Sequence, residues 1–223
     1  MTDDERFKRW GEQILKIHEE IMYALVSRRI HNEVGAILRA NPRLWHENNS
    51  FYMWMAEIYE DSILMAVRRQ VDADIRSISL ALLLKEIIDC PHVLSRERFV
   101  EQVVTHYSSK SEGAAHSEFD RLVAPVAKHI HADVVQAELD DLRKRTKGTK
   151  EYANKRVAHF DATGPKDSPT ILEVHEVLDR LHELRAKYMY LLRWERYAEP
   201  PLAEPQLQDE ETWKSIFREP WIQ

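Results

Sequence analysis

The stretch from Glu151 to Asp161, EYANKRVAHFD, sets a histidine three and four residues after two cations and two residues before a carboxylate. On a helix, Arg156 and Lys155 would flank the face that carries His159. Imidazole titrates near neutrality, so His159 can take a proton from a ribose 2′-hydroxyl while Lys155 and Arg156 stabilise charge on the phosphate. Asp161 can orient the ring or raise its pKa. The same residues also describe an ordinary histidine at a basic helix end, and spacing alone leaves both readings open.

The basic character extends upstream. Arg143, Lys144, Arg145, Lys147, Lys150, Lys155 and Arg156 face a single acid, Glu151, in a chain whose net charge is −6. Such a patch attracts phosphate by charge and, through arginine, by a forked donor geometry. Its alternative is a solvated helix end whose cations complement the helix dipole and the preceding Glu138-Leu-Asp-Asp141. An acidic chain is no general polycation, so an RNA site would have to be this local patch.

Other chemistries fall away. Five scattered glycines cannot build a phosphate-cradling loop or a dinucleotide fingerprint. The one cysteine, Cys90, cannot form an internal disulfide and reads as a buried structural thiol in a reducing compartment. His175, Asp179 and His182 share a helical face, but no HExxH or paired ExxH motif accompanies them. They read as surface or interface polar residues, and no metal or other cofactor is expected. His129 and His131 are two apart and diverge on a helix. No apolar run approaches the ~20 residues that span a membrane, so a soluble, cytoplasmic protein is expected.

The elements that must position these groups are helical. Phe7, Trp10, Ile14, Ile17, Ile21 and Leu25 recur at three- and four-residue steps, predicting a helix from Asp3 to about Arg28. A shorter one follows from Asn32 to Arg39. Further helices are predicted over Ser50 to about Asp72, over the nearly all-apolar Ile78 to Ile88, and from a Ser95 cap to about Tyr107. SSKSEGAAHS reads as a break, and a long helix follows from near Ser117 to about Lys147, with Phe119, Leu122, Val126, Ile130, Val134, Ala137, Leu139 and Leu142 inward. Pro125 sits in its first turns or marks a restart. Gly148 and Thr149 punctuate before a short helix over Lys150 to His159. Thr170 and Glu173 make a capping box for a last helix from Ile171 to about Tyr197. Arg68 and Asp72 are spaced as an ion pair, Asp74 or Ser77 reads as a cap, and this cluster either pairs internally or lines a groove near His159. No period-two run is long enough for a strand. The expectation is an all-α multi-helix bundle over residues 1–198, then a proline-rich tail, 199–223, whose Trp213, Ile216 and Phe217 are at helical spacing to dock on the body or on a partner.

EYANKRVAHFD, preceded by LRKRTKGTKE and followed by SPTILEVHEVLDRLHELRAKYMYLL, resembles the C-terminal half of HEPN domains, notably the abortive-infection-associated group, in which an RNK element leads into AH and then aspartate. The upstream AVRRQVDADIRSISLALLLKEI resembles that group's arginine, aspartate and SL pattern. The similarity covers roughly residues 50 to 195.

The resemblance implies a HEPN-like helical bundle that dimerises and, in active members, a metal-independent endoribonuclease of toxin–antitoxin or abortive-infection type. The family signature is an arginine, a polar residue such as asparagine, then histidine after four to six residues. Asn154 and His159 match it, whereas the arginine slot falls on Ala153. The implied catalytic set is His159, Arg156, Asn154 and Asp161, with Arg143, Lys144, Arg145, Lys147, Lys150 and Lys155 holding RNA. Implied partners are RNA, a second copy of the chain and an antitoxin protein. The alternative is a catalytically silent HEPN-like binding or scaffold module, which Ala153 favours.

Overall fold

Trp10, Ile14, Ile17, Ile21 and Leu25, the stripe legible in the first helix, are each at most 1% exposed and form the floor of the core. The structure, a computed structural model, describes residues 1–40, 50–106, 111–158 and 168–194, the side chains of 156–158 excepted. His159, Asp161 and the tail lie outside the described residues, and so does the side chain of Arg156.

The elements in order are α1 (Asp3–Ala40), α2 (Ser50–Gln70), α3 (Leu80–Asp89), a 3-10 turn (Pro91–Val93), α4 (Arg96–His106), α5 (Glu112–Leu122), α6 (Ala132–Tyr152), a π turn (Ala153–Ala158) and α7 (Ile171–Arg193). The described residues form no strand, only an isolated bridge between Ser95 and His129. The fold is therefore an all-α bundle. No helix among the described residues is long and apolar enough to cross a membrane.

Helix α1 is the spine, about 57 Å long at 1.5 Å per residue. Two helices run antiparallel to it. On α7, Arg185 reaches His18 and Asp179 reaches Arg28. On α2, Arg69 and Gln70 reach Glu20, and Tyr59 stacks on His31. Helix α6 then covers α7, with Lys187 and Tyr188 both donating to Glu138 at 2.6 Å. The mostly apolar α3 buries Leu80 to Leu84 and Ile87 while Lys85 and Asp89 stay exposed, and Trp10 Nε1 donates to its Glu86 at 2.7 Å.

The structure corrects several boundaries. The two helices expected in the first 40 residues are one, because no breaker separates them. The apolar stripe merely rotates, so that His31 and Val34 turn toward α2 while Ile14 and Ile17 line the central core. The helix expected from Ser117 to Lys147 is two. GAAHS belongs to α5, where Ala115 is buried, and Pro125 lies in the connection to α6. Arg96 ties that connection down by donating to the Ala127 carbonyl at 2.7 Å and to Asp120, whose carboxylate accepts from the Val126 amide. Val126, expected inward, is 88% exposed in the left-handed region with φ 61°. The restart at Ala132 also shifts the register: Val135 is buried, while Val134 is half-buried and Ala137 exposed.

Gly148 and Thr149 do not break the chain. Thr149 packs inward and Gly148 sits on the exposed side of a continuous α6. Ser79, rather than Asp74 or Ser77, caps α3, its hydroxyl accepting from the Leu82 amide at 3.1 Å. Ser95 does cap α4, accepting from the Arg98 amide. The Thr170–Glu173 capping box is present, and α7 ends at Arg193, with Trp194 in the left-handed region. Cys90 is half-buried rather than buried, at the end of α3 and in contact with Arg6.

Candidate nucleic-acid interface

Helix α6 buries Val135, Leu139, Leu142, Thr146 and Thr149, a stripe of steps by four and three that continues into Ala153. Everything basic on this helix is therefore turned to its flanks or to solvent. Arg143, Lys147 and Lys150 fall four and three residues apart and form a row on one flank. Asn154 lies four residues beyond Lys150, at the start of the π turn. Arg145 occupies the opposite flank, where it shares Asp141 with Arg180 of α7 at 2.8 Å each. Lys144 is exposed and Lys155 half-buried.

The basic residues differ in how far they are already neutralised. Arg145 is paired with Asp141, whose carboxyl is held below its ordinary range first by the Arg145 hydrogen bond, then by Arg180. Arg143 makes only a long contact of 3.4 Å with Asp140. Among the described residues, Lys144, Lys147, Lys150 and Lys155 have no ion pair. The structure thus separates one spent cation, Arg145, from a row that retains its charge.

At the end of that row a residue of α2 joins. Arg68 donates from Nε to Asn154 Oδ1, bridging α2 and the π turn. Its Nη groups make no hydrogen bond to any described residue. Arg68 was expected to pair with Asp72, but that carboxylate instead accepts from the Asp74 amide at 3.1 Å. Of the two readings open for this cluster, the internal Arg68–Asp72 pair is absent, and Arg68 points to the motif segment.

Ala153 is 0% exposed and belongs to the central core. In this packing the slot that the family pattern assigns to arginine faces inward, where a guanidinium would lose its hydration without a partner. The winding after it matters too. Backbone hydrogen bonds in a π turn run from i to i+5, so the α-helical spacing expected of Lys155 and Arg156 does not hold within Ala153–Ala158, and His159 lies outside the described residues. Such turns occur disproportionately at functional sites.

A second polar cluster was underrated. His175, Asp179 and His182 do share a face of α7, but only Asp179 keeps an exposed side chain; His175 is half-buried and His182 buried. Arg28, 8% exposed, donates to Asp179 at 2.6 Å, Tyr59 Oη and His175 Nε2 share a hydrogen bond at 2.6 Å, and His182 is 5% exposed. Arg185 donates to His18 Nδ1 and to His182 Nδ1, both at 2.8 Å. Arginine can only donate, so both rings accept through an unprotonated nitrogen. Burial first, then the nearby Arg28 and Arg185 charges, lower His175 and His182 to about 4. His175 joins α7 to α2 through Tyr59, while Arg28–Asp179 and Arg185–His18 join α7 to α1, with His182 supporting Arg185. No group of three or more potential metal ligands converges among the described residues. His129 and His131 lie in the segment before α6, where His129 Nδ1 meets the Ile130 carbonyl.

Spacing had flagged α7's side of this cluster. It could not supply the α1 and α2 partners, which lie more than a hundred positions away. Compared with protein-family models, curated proteins and solved structures, the chain matches none of them.

Proposed function

We propose that this chain is a cytoplasmic HEPN-like protein of toxin or abortive-infection type that acts on RNA as a metal-independent endoribonuclease. The observation that carries the reading is Arg68 at Asn154: the cation absent at Ala153 is supplied from α2, with Nη donors that no described residue occupies. Arg143, Lys147 and Lys150 continue the strand path along one flank of α6.

In this reading His159 removes the proton from a ribose 2′-hydroxyl as that oxygen bonds to phosphorus. The bond to the 5′-oxygen breaks, and that oxygen leaves as a hydroxyl on taking a proton from solvent. The products are a 2′,3′-cyclic phosphate and a 5′-hydroxyl end. Arg68, with Arg156 and Lys155, stabilises the charge that develops on phosphate, and Asp161 orients His159. A homodimer that joins two such motifs, controlled by an antitoxin protein, completes the proposal.

A catalytically silent RNA-binding or scaffold module is the second reading, and the inward-facing Ala153 favours it. Labelled RNA incubated in EDTA with wild type, His159→Ala and Arg68→Ala separates the two. The enzyme reading expects cyclic-phosphate ends from wild type, loss with His159→Ala, and a fall of about 10²–10³-fold with Arg68→Ala. RNA left intact by wild type, but retained on a filter through the basic row, supports the module instead.

A further inference from the structure

The second face of α2 carries a different feature. Where Arg68 faces the π turn, the stripe Met55, Tyr59, Ser62 turns toward α1. Between the two helices lies an open groove of about 360 Å³. That volume is within the range of small-molecule sites, roughly 300–1,000 Å³. Small side chains at Gly35 and Ala56 leave the space, and Tyr52, Trp54, Tyr59 and His31 wall it with rings.

Two of the walls, His31 and Tyr59, are held in place before any ligand arrives. His31 stacks on Tyr59 with ring centroids 4.0 Å apart and planes at 11°, and the Tyr59 hydroxyl is fixed by His175 at 2.6 Å. Trp54 at 55% and Ile58 at 49% exposure leave apolar surface open at the rim. One charge lies beside the groove lining, against Gly35. Arg39 folds back over Gly35, so that a Cβ placed there would lie 3.1 Å from its Nη1. Arg39 has no acidic partner among the described residues. Burial first, then the Arg39 charge, lowers the His31 pKa, which places that guanidinium close to the His31 wall.

We propose that the α1/α2 groove binds a small aromatic carboxylate, its ring packed among Tyr52, Trp54, Tyr59 and His31 and its anionic group on Arg39. A ring matches the walls, one negative charge matches Arg39, which no acid among the described residues pairs, and the volume admits a two-ring molecule. The groove is independent of the RNA reading, because it lies on the face of α2 turned away from Arg68.

The test uses the full chain with 2-naphthoate and the neutral 2-naphthylmethanol as probes, followed by ligand-observed NMR and calorimetry. Wild type is expected to bind naphthoate about tenfold more tightly than the alcohol. Arg39→Gln removes that preference while retaining the alcohol, and Gly35→Leu, which fills the groove on a helix-favouring side chain, abolishes both. Circular dichroism confirms that each variant is folded. Equal binding of the two probes to wild type, no binding of either, or binding unchanged by Gly35→Leu overturns the proposal. So does a wild-type dimer that excludes naphthoate and that Gly35→Leu converts to monomer, which assigns the groove to a second copy of the chain.

Discussion

Ala153 decides more than its size suggests. It is fully buried in the core at the start of the π turn, so Ala153→Arg would not create a phosphate site but would place an unpaired cation inside. The expected cost is about 3–5 kcal/mol, the range for an uncompensated buried charge. Thermal denaturation should show a midpoint lower by roughly 10 °C, at ~2–4 °C per kcal/mol for a domain of this size. An unchanged midpoint would mean that the side chain escapes outward and that the slot is less inward-facing than described. Arg68 gives the complementary case. It is half-buried, and Arg68→Lys keeps the charge but loses the forked donor geometry. RNA retention by Arg68→Lys should fall between those of wild type and Arg68→Ala.

At the scale of elements, α7 starts on a complete capping box: Thr170 accepts from the Glu173 amide at 3.3 Å and Glu173 accepts from the Thr170 amide at 2.7 Å. Thr170→Ala should cost about 1 kcal/mol in urea denaturation with an unchanged slope. This box was readable from four residues, as were the mostly apolar α3 helix and the Ser95 cap, because each signal is local. Where tertiary contact decided, the sequence was ambiguous. Nothing between Arg28 and Asn32 says whether one helix or two fills the first 40 residues, since only α2 and α7 show why the stripe rotates. Val126 looked apolar and therefore inward, yet Asp120 and Arg96 bind the turn around it and leave it in solvent. The basic row was legible as composition. Which of its members keep their charge depends on Asp141 and Arg180, and the Arg68–Asn154 contact spans 86 positions.

For the whole molecule, His175 and His182 couple pH to the packing of three helices. Each binds a proton with a pKa near 4 when folded and 6.5 when unfolded. Between these values the unfolded chain holds more protons, so stability is full above pH 6.5 and falls as pH drops toward 4. Unfolding at pH 5 should take up about two protons through these rings, measurable from the slope of unfolding free energy against pH. The double variant His175→Gln/His182→Gln should flatten that slope; an unchanged slope would place the acid sensitivity elsewhere. The antiparallel pairing of α1 with α7 has a further consequence, for the order of events when the chain is made. The apolar stripe of α1 emerges first, yet its covering partner begins at Ile171, more than a hundred residues later. At ~5–20 residues per second, a ribosome needs roughly 8–30 s to make the intervening chain and α7. During that interval the longest helix displays Trp10, Ile14 and Ile17 with no α7 to cover them, and a nascent chain stalled before Ile171 is the form on which chaperones should be found.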